Sequence, residues 1–212
     1  MDLGEFAHGN ELFKNSFFKT NEKKLLTLVK EGQHPKALFI GCSDSRVIPD
    51  LIVSSTPGDL FVVRNVGNFI PPHKLDNEYH STVSAIEYAV TVLKVSDIIV
   101  CGHTHCGACA HLYEELDDSL VYTKKWLELG EKAKQMALLS LGKDAEKEKL
   151  LRVTEKFSIV SQIDNLLTHP YVKKLADEEK LTIHGWYYHI ENGDIEYYDT
   201  DSYSFKPLSK LS

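Results

Sequence analysis

The sequence predicts an α/β fold: a mostly parallel central sheet of about four strands with an antiparallel C-terminal edge strand, flanking helices and an N-terminal helical arm. Three observations carry the prediction. Ala37 to Gly41, Leu60 to Arg64 and Asp97 to His103 are short runs apolar at nearly every position, the pattern of strands covered on both faces in a parallel sheet. Between the second and third runs, Val83, Ile86, Val90 and Leu93 recur at steps of three and four from Tyr79 to Lys94, so a helix leads directly into a strand. Finally, Leu181 to Ile190 is rich in branched and aromatic residues. Asn192-Gly193 follows as a turn, and Ile195 to Tyr198 returns as a hairpin partner.

The elements follow in order along a single domain over 1–212. Residues 1–32 form the arm, with Leu12, Phe13, Phe17 and Phe18 at helical spacing. Either this arm packs on its own core or it reaches across to a neighbouring subunit; the sequence favours neither. Asn21 is the expected N-cap of a helix carrying Leu25, Leu28 and Val29, which ends near Gly32 before Pro35. Residues 33–110 hold the three buried strands and the chemistry. Residues 111–170 are charge-rich but carry Trp126, Leu127, Leu129, Met136, Leu138 and Leu139, so helices are expected there. Within that segment Thr154 to Leu167 reads as a helix with Phe157, Val160, Ile163 and Leu167 on its apolar side, stopped by His169-Pro170. The hairpin occupies 181–199.

Composition excludes several classes of partner. A net charge of -7 and a pI near 5.8 leave no basic stripe for nucleic acid or an anionic membrane. The N-terminus lacks a leader pattern, and no stretch reaches the ~20 apolar residues of a membrane span, so a soluble cytoplasmic protein is expected. In that compartment the four cysteines point to metal ligation or catalysis in preference to disulfides.

The first strand ends abruptly in Cys42-Ser43-Asp44-Ser45-Arg46, and the third ends in His103 with Cys106 three residues on. If those strands are neighbours, both ends meet at a topological switch point, where open α/β sheets bind ligands. Two thiolates and one imidazole suit zinc, one ion per chain, with the fourth tetrahedral position left for water or substrate. Cys101 and Cys109 are alternative ligands, although each fits a buried small apolar role, and His105 reads as a surface residue. Asp44 and Arg46 could be a solvated ion pair. Beside a metal, a carboxylate held by an arginine fork stays ionised and accepts a hydrogen bond from a metal-bound hydroxide, or swings onto the metal and blocks it.

Cys42-Ser-Asp44-Ser-Arg46, Arg64-Asn65-Val66-Gly67-Asn68 and His103-x-x-Cys106-Gly107 together resemble the β-class carbonic anhydrases, and the resemblance runs from about Gln33 to Tyr198. It implies zinc on Cys42, His103 and Cys106, with Asp44 and Arg46 as an orienting dyad. It implies a narrow apolar substrate cleft at a subunit interface, lined by Gln33, Phe61, Val66 and Tyr88 with the Gly107 amide nearby; Gln33 would come from the neighbouring chain. A homodimer, or a homotetramer built from it, is the expected assembly, and carbon dioxide, bicarbonate and water are the expected small-molecule partners. Members with a second bicarbonate site have Trp three residues before the first cysteine ligand; Phe39 stands there in this chain, which argues against bicarbonate-controlled switching.

The expected reaction is reversible hydration of carbon dioxide by zinc-bound hydroxide, faster as pH rises because two thiolates hold the water's pKa above that of an all-histidine site. His73, His80, His105 and His111 are candidate proton relays, with nothing to choose among them. Two rivals share the scaffold: a non-catalytic bicarbonate- or zinc-binding module, and a hydrolase of a related heterocumulene such as carbon disulfide. A cysteine-dependent phosphatase is rejected, because the three residues between Cys42 and Arg46 are too few for a phosphate cradle.

Overall fold

The computed structural model describes residues 2–75 and 79–210; Met1, 76–78 and 211–212, which the expected single domain also spans, lie outside the described residues. Its centre is a six-stranded sheet in the order β2-β1-β3-β4-β5-β6. Before the sheet come α1 (Leu3–Phe13) and α2 (Lys19–Glu31), joined without a break by a π-helical stretch, Lys14–Phe18. Strands β1 (Ala37–Cys42), β2 (Leu60–Asn65), β3 (Asp97–His103) and β4 (Thr182–Tyr188) are parallel; β5 (Ile195–Asp199) and β6 (Ser204–Pro207) are antiparallel. The helices between them are α3 (Pro49–Ile52), α4 (Ser81–Glu87) with a π-helical extension Tyr88–Val92, α5 (Gly107–His111), α6 (Val121–Leu127), α7 (Glu131–Leu141), α8 (Lys147–Leu167) and α9 (Pro170–Asp177).

The α/β reading holds, with four differences in detail. Asn21 caps nothing: the helix runs through it, and its Nδ2 donates to the Phe17 carbonyl. β2 is not a fully covered strand but the edge of the sheet, with Val62 and Arg64 exposed, because β1 is its one neighbour in the chain. β6 and α9 add to the expected elements.

The fourth difference concerns α8, whose most buried face is rotated away from the Phe157, Val160, Ile163 and Leu167 stripe. It carries Leu150, Thr154, Glu155, Ser158, Ile159, Gln162 and Leu166. Sheet geometry explains this. Gly102 of β3 and Gly185 of β4 leave a flat seat in which Ile159 rests; a Cβ at Gly102 would meet Ile159 Cγ1 at 2.8 Å. Seating Ile159 there turns Glu155 inward over the carboxyl end of β3. Gln162 on that face is satisfied: its Oε1 accepts from the Ile70 amide at 2.7 Å, and its Nε2 donates to the Leu129 carbonyl at 3.1 Å.

The main core lies between the sheet and α4, α8 and α9, around Leu38, Ile40, Ile86, Ile98, Val100 and Ile159. A second cluster contains Cys42, Phe69, Cys106, Ala108, Cys109, Leu112 and Leu127, so the charge-rich segment supplies apolar cover behind the strand ends. The arm behaves differently. No residue of α1 is buried, while α2 is tethered by Lys24 Nζ, which donates to Asp59 at 2.8 Å. The α1 half of the arm therefore does not pack on its own core, while Leu28 of α2 lies against Gly58.

Candidate metal centre and active site

β1 lies between β2 and β3, so the chain reverses direction across the sheet at β1 and leaves a crevice at the carboxyl ends of β1 and β3. Cys42 ends β1 and His103 ends β3; Cys106 follows as the residue preceding α5. One ligand atom from each lies within 4.8 Å of the others, and all three residues are buried. Among the described residues no other His, Cys, Asp or Glu group converges in this way. Cys101 and Cys109 stay outside the donor set and are buried, and His105 is exposed with a left-handed backbone (φ 58°).

The donor chemistry fits a metal such as zinc. His103 Nδ1 lies 2.8 Å from the Thr104 carbonyl, which can only accept, so Nδ1 carries the proton and Nε2 keeps its lone pair. That Nε2 is buried with no hydrogen-bond partner, an arrangement that costs free energy unless a cation completes it. The thiols show the same deficit. Contact with the Cys106 thiol, then burial, pushes the Cys42 thiol up to about 12, so the metal-free thiols hold their protons until a cation replaces them.

Asp44 stands beside this group. Arg46 grips both carboxylate oxygens, Nε to Oδ1 at 2.9 Å and Nη2 to Oδ2 at 2.8 Å, and its backbone amide donates to Oδ1 at 3.0 Å. The fork is itself anchored by Nη2 donating to the His105 carbonyl at 3.1 Å. The Arg46 guanidinium holds the Asp44 carboxyl well below the usual carboxylate range, so Asp44 is an acceptor-only group at any physiological pH. Arg64 fixes the backbone of this turn, donating to the carbonyls of Cys42 and Asp44.

Val66 and Gly67 adjoin the site. The Val66 carbonyl accepts from Trp126 Nε1 at 2.7 Å, tying α6 to this loop. Gly67 has φ 78°, and a Cβ there would meet Ala108 Cβ at 2.8 Å, so the position needs glycine on both counts. Gly107, immediately after Cys106, is exposed.

Gln33, Phe61 and Tyr88 lie elsewhere. Phe61 pairs in register with Leu38, four residues before Cys42, which puts it about 13 Å back along the sheet. Tyr88 packs against Phe61 with ring centroids 6.0 Å apart, and Gln33 precedes β1 altogether. They gather at the amino end of the sheet, not at their own chain's thiols.

Sequence reasoning missed a buried group behind the Cys-His-Cys cluster. Glu155 Oε1 accepts from the Cys106 amide at 3.0 Å and from Arg152 Nη2 at 2.9 Å, while Oε2 accepts from the Tyr187 hydroxyl at 2.6 Å. Burial pushes the Glu155 carboxyl up to about 7, and the Tyr187, Arg152, Cys106 and His105 contacts pull against it.

A carbonic anhydrase family model matches residues 37–195, most of the chain. The chain belongs to the β-class carbonic anhydrases. It is 38% identical to a carbonic anhydrase of Synechocystis across 99% of its length and 76% of the relative's. With a Pseudomonas aeruginosa carbonic anhydrase the identity is 40%, over 84% of this chain and 80% of that one. Among solved structures, the β-carbonic anhydrase CcaA superposes with a TM-score of 0.89 at 37% identity, covering 97% of this chain and 91% of that one. A tetrameric β-carbonic anhydrase from Sordaria macrospora superposes at 0.80 with 27% identity, covering 97% and 95%. No helix among the described residues is long and apolar enough to cross a membrane.

Proposed function

We propose that this chain catalyses the reversible hydration of carbon dioxide to bicarbonate and a proton, with one zinc ion held by Cys42, His103 and Cys106. The observation that carries the reading is the convergence of two thiols and the unpartnered His103 Nε2 within 4.8 Å, beside a carboxylate gripped by Arg46. Zinc bound there supplies Lewis acidity that brings the pKa of a water toward about 7. The remaining work falls to side chains of the protein. Asp44, ionised and unable to donate, accepts a hydrogen bond from the attacking oxygen and so turns that oxygen's lone pair toward the substrate carbon. Arg46 keeps the carboxylate fixed at both oxygens, which holds it on the arginine and off the metal.

The dimer belongs to this proposal. Gln33, Phe61 and Tyr88 cannot line their own chain's site from the far end of the sheet; a two-fold partner brings them to the other chain's Val66 and Gly107. Val62, Val66, Tyr88 and Val92 remain exposed on this chain, as does the apolar face of the arm with Phe6, Leu12, Phe13 and Phe17. Apolar exposure on that scale marks an interface, and the arm crossing to the partner covers it. Such dimers pairing into tetramers, in the cytoplasm where the four thiols stay reduced, complete the reading.

The test is stopped-flow carbon dioxide hydration on chelator-stripped and zinc-reloaded protein. Turnover that returns in proportion to zinc, up to one per chain, supports the proposal. Zinc binding at that stoichiometry without turnover would sink it in favour of a binding module.

A further inference from the structure

The metal ligand Cys106 opens a Cys106-Gly107-Ala108-Cys109 sequence, and its second cysteine has no part in the donor set. Cys109 is 2% exposed, belongs to the same buried cluster as Cys42 and Cys106, and is a free thiol. It lies in the helix that Cys106 caps, three residues on. A thiol about one helical turn from a metal-binding sulfur, in the same buried cluster, is placed to react with it.

We propose that Cys106 and Cys109 are a redox pair: a peroxide oxidises them to a disulfide, which withdraws Cys106 from the ligand set and releases the metal. The inference rests on the metal-centre reading above. Backbone geometry favours this pair. Regular helical i, i+3 spacing leaves Cβ atoms about 5–6 Å apart, wider than the ~3.8 Å of a disulfide. Cys106, however, precedes the helix with extended backbone (φ -69°, ψ 116°), and Gly107 after it has open space around it. Its thiol can therefore close on Cys109 without unwinding α5. Cys42 is the competing partner, but its strand end is pinned: the Ser43 amide donates to the Asn65 carbonyl at 2.8 Å and Arg64 Nε to the Cys42 carbonyl at 2.9 Å.

The chemistry balances in two steps. The Cys106 sulfur attacks one peroxide oxygen; the S–O bond forms as the O–O bond breaks, giving a sulfenic acid and one water. The Cys109 sulfur then attacks the sulfenic sulfur, and the S–O hydroxyl leaves with the Cys109 proton as a second water. Two thiols lose two electrons and two protons, and the peroxide is reduced to two waters. Cys106 needs to be reachable only by an oxidant little larger than the water and carbon dioxide the site admits. A thiol reductant reverses the reaction.

The experiment treats zinc-loaded wild type, Cys109→Ala and Cys109→Ser with hydrogen peroxide, then with a thiol reductant and zinc. Zinc release is followed with a chromogenic chelator, and fragment-ion mass spectrometry locates the loss of two hydrogens. Wild type is expected to form the Cys106–Cys109 bond, release its zinc and regain nearly all of it after reduction. Both variants are expected to regain less than about a tenth, because a sulfenic acid with no resolving thiol goes on to sulfinic acid. A bond mapped to Cys42 or Cys101, or equal recovery in all three proteins, would overturn the pair. The bond is read independently of turnover, so absence of hydration before peroxide is added counts against the enzymatic reading and not against this one.

Discussion

The Glu155 carboxylate accepts a hydrogen bond from the backbone amide of Cys106 at 3.0 Å, across 49 residues of sequence, and so ties helix α8 to a member of the Cys-His-Cys group. With Arg152 and Tyr187 completing the carboxylate, Glu155 holds the Cys106 backbone in place at the head of α5. It acts as a positioning residue. Glu155→Gln places an amide where two donors, Cys106 N–H and Tyr187 O–H, need acceptors. Zinc affinity is expected to fall roughly 10–100-fold, as on loss of other outer-shell partners. Tyr187→Phe spares the Cys106 bond and should cost less. Competition with a chelator of known affinity measures both; unchanged affinity in Glu155→Gln would remove the positioning role.

Zinc loading should release protons. With the Cys42 thiol pushed up to about 12 and the Cys106 thiol well above its ordinary value, both are protonated in the metal-free protein at pH 7, and both must ionise to bind. Calorimetry in buffers of different ionisation enthalpy is expected to show about two protons released per zinc. A value below one would mean that the cysteines are not both ligands.

The legibility of the site tracks how local its signals are. Cys42, Asp44 and Arg46 stand within five positions at the end of an apolar run, and His103 and Cys106 repeat that pattern, so the converging Cys-His-Cys group and the Asp44–Arg46 pair could be picked out from sequence. The β1–β3 adjacency that joins them follows from parallel topology. Glu155 carried no such signal. It lies mid-helix, its partners are distant in sequence, and the apolar stripe through Phe157 and Val160 pointed to the wrong face. The seat offered by Gly102 and Gly185 sets the rotation of α8, and glycine strands do not announce what will sit on them. β6 was invisible for a simpler reason: Ser204-Phe205-Lys206-Pro207 has one large apolar residue and a proline, and it forms by pairing with β5.

The proposed sharing of the cleft between chains predicts complementation. Asp44→Ala and Gln33→Ala are each expected to be nearly inactive as homodimers. In a mixed dimer one site lacks both groups and the other has both. Random exchange of equal amounts should therefore restore about a quarter of wild-type turnover. No recovery after verified subunit exchange would place Gln33 outside the partner's site.

His169 gives the fold a pH limit away from the metal. It is fully buried, its Nε2 donates to the Pro71 carbonyl at 3.0 Å, and burial lowers its pKa from the usual 6.5. The unfolded chain binds a proton near pH 6.5 where the folded chain does not, so stability is present above that pH and lost as pH falls toward the lower folded value. His169→Gln is expected to be less stable at pH 8 yet to lose less on acidification from pH 7 to 5. Urea midpoints measure this, and parallel slopes in both proteins would contradict it.

The most direct test of the proposed site is carbon dioxide hydration and zinc content measured on the same samples of wild type and Asp44→Ala. With Asp44 forked by Arg46 as the group that orients the nucleophile, the variant should keep one zinc per chain and lose about a hundredfold or more in kcat/KM. Turnover near wild type with zinc retained would contradict that role for the dyad.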